Sequence, residues 1–88
     1  MNKQRLNELL NGGVVLLFDN KTDFICFLKE IKSFGGRWQN GEEIKIPKVA
    51  DVQSYFRVHI NKDYKIAFVS DICYHYSYYP SISYAKIK

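Results

Sequence analysis

"TDFICFLKEIKSFGGRW", residues 22–38, is the stretch on which the reading of the fold turns. Phe24, Phe27, Leu28, Ile31 and Phe34 recur at three- and four-residue intervals, which lines one side of an α-helix with apolar side chains. Lys29, Glu30, Lys32 and Ser33 fall elsewhere on the wheel. Asn20 and Thr22 are both N-cap residue types, and Gly35-Gly36 is a C-terminal stop. The spacing predicts a helix over 22–34. Cys26 projects about 200° from Phe24 and is expected to face solvent.

On the N-terminal side, "VVLLF" (14–18) is an apolar, partly β-branched run between turn formers, which suits a buried strand. Before it, residues 2–11 read as a short amphipathic helix with Leu6, Leu9 and Leu10 on one face, ended by Gly12-Gly13. On the C-terminal side, "GRWQNGEEIKIP" reads as a short strand carrying Trp38, a tight turn at Asn40-Gly41 and an extended piece stopped by Pro47. Residues 48–54 fit a helical turn or a loop.

Residues 55–69, "YFRVHINKDYKIAFV", read as a β-hairpin with Asn61-Lys62-Asp63 as its loop, pairing residue 60 with 64, 58 with 66 and 56 with 68. Phe56, Val58, Ile60, Tyr64, Ile66 and Phe68 then share a buried face. Tyr55, Arg57, His59 and Lys65 share the other with Ala67 and Val69. The segment "CYHYSYYPSISY" (73–84) holds five tyrosines. As a strand it turns Tyr74, Tyr76 and Tyr78 one way and Tyr79 the other; as a helical turn it aligns Ile72, Tyr76 and Tyr79. Pro80 breaks it in either case, and "ISYAKIK" begins a final strand. These elements make one α+β domain over 1–88. A small antiparallel sheet carries one main helix on a face, with the short N-terminal helix at an edge.

Composition narrows the function classes. The chain has 88 residues, a net charge of +4, seven Tyr, six Phe and one Trp. Large rings give a small core much buried area per residue, but neither geometry of 73–80 buries every tyrosine. Basic residues are scattered and alternate with acids rather than clustering, so nucleic-acid binding is not favoured. Two cysteines do not make a disulfide framework, and no signal peptide or bilayer-length apolar run is visible, which points to a reducing cytoplasm.

Chemistry-bearing motifs are sparse. Cys26, His59, Cys73 and His75 lack the spacing of a structural zinc site, so no metal is expected. Cys73 with His75 lacks an orienting third group, Glu42-Glu43 is the one adjacent carboxylate pair, and no phosphate-binding loop is present. No catalytic residue and no cofactor is expected. Two binding surfaces are: Tyr74, Tyr76, Tyr78 and Tyr79 as an aromatic patch, and Tyr55, Arg57, His59 and Lys65 as a mixed basic face.

"TDFICFLKEIKSFGGRW" followed by an Asn-Gly turn, the hairpin and the closing Tyr84-Ala85-Lys86-Ile87 resembles a group of small phage and prophage accessory proteins. The likeness covers most of the chain and departs from the group in the crowded 73–80 segment. It implies a non-enzymatic protein of the infected bacterium's cytoplasm that binds and modulates a host factor, including components of antiviral defence. A nucleotide- or cyclic-nucleotide-sequestering protein and a weak nucleic-acid-binding module are the alternatives. The oligomeric state is open, and a homodimer is compatible with the sequence.

Overall fold

Asn20 starts the main helix. In the computed structural model its Oδ1 accepts the Asp23 N–H at 2.8 Å, and α2 runs from Lys21 to Ser33. Asp23 in the first turn also suits the positive end of the helix dipole. The far end closes as a Schellman motif after Phe34: Gly36 N–H donates to Ile31 O and Gly35 N–H to Lys32 O, with Gly35 at φ +87°. The predicted helix is therefore present, one residue earlier at each end. Cys26 on it is exposed, as expected.

The structure describes residues 3–10, 13–52, 57–69 and 79–88. Their order is α1 (Lys3–Leu9), β1 (Val14–Leu17), α2, β2 (Arg37–Trp38), β3 (Arg57–Ile60), β4 (Lys65–Phe68) and β5 (Ser81–Ser83). Short 3-10 turns occupy Val49–Asp51 and Tyr84–Lys86, the first within the segment left open between helical turn and loop. The sheet order is β2-β4-β3-β1-β5.

The architecture is α+β, but the sheet is mixed rather than purely antiparallel. β1–β3 and β3–β4 are antiparallel, whereas β5 joins β1 and β2 joins β4 in parallel. Both parallel partners reach the sheet after long connections, which local hairpin signals do not register. The final strand is also shorter than "ISYAKIK" suggests, because the chain turns into a 3-10 helix at Tyr84.

The hairpin forms with a different register. Val58 faces Phe68, His59 faces Ala67 and Ile60 faces Ile66. Asn61 sets this: its Oδ1 accepts N–H groups from Asp63 at 2.9 Å and Lys65 at 3.1 Å, while Tyr64 N–H donates to Asn61 O. Tyr64 takes φ +59°, the left-handed position after a three-residue loop. The pairing slides by two residues relative to the expected one, so each side chain keeps its face. Tyr64 itself leaves the strand and packs at its end. Its hydroxyl donates to Asn7 of α1, its ring meets Phe34, and the Lys3 ammonium sits 5.7 Å from both ring centres.

One face of the sheet makes the core. Val14, Leu16, Val58, Ile60 and Ile66 are buried there against Leu6 and Leu10 of the N-terminal segment and Phe24, Phe27, Leu28 and Ile31 of α2. Phe18 leads directly from β1 into a ring cluster, 5.5 Å from Phe24, 5.2 Å from Phe27 and 5.1 Å from Tyr84. Tyr84 is wholly buried, and its hydroxyl donates to Glu30 Oε1 at 3.1 Å. Burial first, and the adjacent Glu30 charge second, push its ionisation well above the ordinary range, so it stays a neutral donor. Lys88 adds a second tie to α2 by donating to both oxygens of Asp23.

Two substitutions separate these contributions. Tyr84→Phe keeps the ring and should cost about 1 kcal/mol, whereas Tyr84→Ala should cost about 3–5 kcal/mol by urea denaturation. Equal losses would show that the hydroxyl, not the ring, holds the C-terminal segment. At Gly36 an added Cβ would lie 2.2 Å from Ile31 Cγ2 and 2.7 Å from Tyr64 O. Gly36→Ala is therefore expected to destabilise by at least about 1–3 kcal/mol, measured the same way.

Candidate functional site

The second face of the sheet divides the predicted basic surface. Arg57 and Lys65 are exposed on it, but His59 between them is buried. Its strand neighbours are Val15 and Ala67, the Tyr79 ring packs against it at a tilt with ring centres 4.6 Å apart, and a Cβ on Gly13 would come within 2.8 Å of its Nε2. Desolvation by that burial lowers its pKa from the ordinary 6.5. Asn61 opposes Lys65, and Arg57 lies four residues from Asn61 along the chain, so the two backbone positions stand about 13 Å apart along the strand direction. His59 is thus a packing residue rather than a member of an open cationic face. The expectation of a continuous Arg57/His59/Lys65 surface is corrected accordingly.

Of the tyrosine patch, Tyr79 is half-buried against His59. Tyr74, Tyr76 and Tyr78 lie outside the described residues, as does Tyr55.

Among the described residues, the open aromatic surface lies at the β2 edge of the sheet. Gly36 lets the chain pass close to the β3–β4 loop, after which Arg37 N–H donates to Tyr64 O and Gln39 N–H to Ile66 O. The chain then doubles back through the predicted Asn40-Gly41 turn. Trp38 exchanges hydrogen bonds with Gly41 and Glu42, Asn40 Oδ1 accepts the Glu42 N–H at 3.0 Å, and Gly41 adopts φ +90°. The Arg37 and Glu43 backbones pair antiparallel at a single position, and the Arg37 guanidinium donates to Gly41 O. This hairpin holds Trp38 in register with Ile66.

Trp38 then stands against Phe68 with ring centres 5.1 Å apart, and Phe68 stacks on Phe24 at 5.9 Å. The three rings form a row from the sheet edge to the first turn of α2. Phe68 was expected in the core with Val58 and Ile66. Its side chain does point to the helix face, but at the end of β4 it remains 56% exposed. Among the described residues only Trp38 and Phe24 stack on it. Period-two patterning assigns a face and cannot tell where along the strand the helix stops covering it. The lone tryptophan was the available signal for this edge.

Two grooves of about 390 Å³ each flank Trp38. One is floored by Trp38, Ile66, Ala67 and Phe68 and rimmed by Gln39, Asn40 and Glu42. The other runs over Glu42, Glu43 and Lys45. Glu43 is 3.6 Å from the Lys32 ammonium across an exposed gap. Glu42 borders both grooves, and no cation lies within ion-pair distance of its carboxylate among the described residues. The arrangement offers apolar area, aromatic faces, amide groups and a negative charge.

Comparison with protein-family models, with curated proteins and with solved structures finds no match to this chain. The site is therefore read from its own chemistry.

The buried histidine gives a pH signature. Because the folded state holds His59 with a lowered pKa, the unfolded chain takes up its proton more readily. Its contribution is complete above the ordinary value of 6.5 and is lost as pH falls below it. Urea midpoints should drop between pH 7.5 and 5.5, and His59→Gln should flatten that drop. An unchanged slope in the variant would place the acid sensitivity elsewhere.

Proposed function

We propose that this chain is a non-enzymatic binding protein that engages another protein through the Trp38–Phe68 groove. The observation that carries the reading is Phe68, a large ring left 56% exposed beside a half-buried tryptophan on a rigid hairpin. Exposed aromatic surface rimmed by polar groups is the usual make-up of a protein contact, and buried aromatic anchors dominate the energy of such contacts. The likeness to phage accessory proteins supplies the class of partner, a host factor whose action is blocked or redirected.

A nucleotide is less well served here. Its base could stack on Trp38, but its phosphates would approach Glu42 and Glu43 rather than a cationic cradle. Nucleic acid is disfavoured on the other face, where Arg57 and Lys65 stand apart with the buried His59 row between them.

Affinity capture from a bacterial lysate with wild-type chain and with Phe68→Ser tests the reading. One stoichiometric protein should be retained by the wild type and lost by the variant, an effect of at least about 2 kcal/mol for a central anchor. The variant should keep its thermal midpoint within a few degrees, since the ring is more exposed than buried. A partner held equally by both chains, or none at all, would sink the assignment of the groove.

A further inference from the structure

We infer that the groove takes a peptide segment presenting an arginine next to a large apolar side chain. This rests on the protein-binding reading above and names the chemistry that the site would select. Each groove, at about 390 Å³, falls near the small end of ligand-sized sites, about 300–1,000 Å³, which suits one or two side chains of an extended segment. Trp38 lines both grooves and has the ring type that attracts cations most strongly over its face.

Glu42 supplies the charge. It is exposed, it rims both grooves, and Asn40 and Trp38 hold its backbone in place. Its neighbour Glu43 is already matched by Lys32, and Lys45 in the second groove is not within ion-pair distance of Glu42. The Glu42 carboxylate is therefore available to a cation brought by the partner, in grooves that Trp38 also lines. A guanidinium satisfies both groups together, because its plane stacks on a ring while its N–H fork pairs with a carboxylate. An ammonium is a point charge and can do this less well. The exposed Phe68 ring, with Trp38 beside it, takes the adjoining side chain.

The test is selection of random dodecamer peptides by display against the full chain, followed by titration of the enriched peptides. Trp38 is the single tryptophan, so its emission reports binding at the site directly. Enriched peptides should carry Arg beside Leu, Ile or Phe and shift that emission. Glu42→Lys should weaken them about tenfold, and the same peptides with Arg replaced by Glu should regain binding to that variant. Glu42 is on the surface, so an unchanged thermal midpoint is expected and separates charge from folding. Peptides that shift Trp38 without a basic residue, or that bind Glu42→Lys as well as wild type, overturn the arginine assignment while leaving the protein-binding groove standing. No peptide that shifts Trp38 overturns the inference too; it overturns the groove itself only if Phe68→Ser also leaves lysate capture unchanged.

Discussion

The packing of Tyr84 against Phe18 and Phe27 is the interaction on which the rest of this small structure depends. An 88-residue chain has little core to spare, and three rings at 5–6 Å separations supply a large share of it. The cluster also decides topology. Phe18 immediately follows β1, Phe27 belongs to α2, and Tyr84 immediately follows β5, so closing the rings brings the C-terminal segment back beside β1. The parallel β1–β5 pairing follows, and β1 becomes an interior strand with both flanks hydrogen-bonded. Tyr84 to Glu30 and Lys88 to Asp23 then fix that segment along α2 by polar contacts that the rings alone would not orient.

A second constraint leads from the helix to the site. α2 cannot run past Phe34, because Gly35 and Gly36 turn the chain through a left-handed cap. Gly36 then passes so close to Ile31 and the Tyr64 carbonyl that only a residue without a side chain fits. That close passage sets the two-residue strand β2 against β4 and brings Trp38 to Phe68. The aromatic row is thus a consequence of how one helix ends. Its position is precise because the turn after it is closed by backbone bonds and by the Asn40 side chain rather than left as a free loop.

Much of the fold was legible because its signals are local. The apolar stripe from Phe24 to Phe34, the glycine stop, the Asn40-Gly41 turn and the alternation of residues 57–68 each declare themselves within a dozen residues. What the chain's pattern does not declare is nonlocal. The parallel partners of β1 and β4 depend on long-range packing, and the register of the β3–β4 hairpin depends on whether Tyr64 accepts a left-handed backbone. Asn61 tips that balance by capping two N–H groups, which no hydrophobic count records. The same holds for the site. His59 looks like a surface residue between Arg57 and the loop until Tyr79, twenty residues later, is found packed against it. Phe68 looks like core until it is found at the end of β4, covered on one side by Phe24 of α2 and still 56% exposed.

The cost of leaving Phe68 open is the physical ground for proposing a role for it. A Phe ring gains about 1.5–3 kcal/mol on full burial, and a chain of this size has few such gains to forgo. A polar residue at the end of β4 would preserve the strand, the register with Val58 and the core below it, and would remove an apolar patch that invites self-association. The ring is instead braced on both sides, by Trp38 and Phe24, in one orientation. Bracing restricts motion that the free ring would otherwise lose on contact, so less entropy opposes binding. An exposed aromatic side chain packed between two rings, near a carboxylate with no cation in ion-pair distance among the described residues, is the arrangement on which the proposed binding role rests.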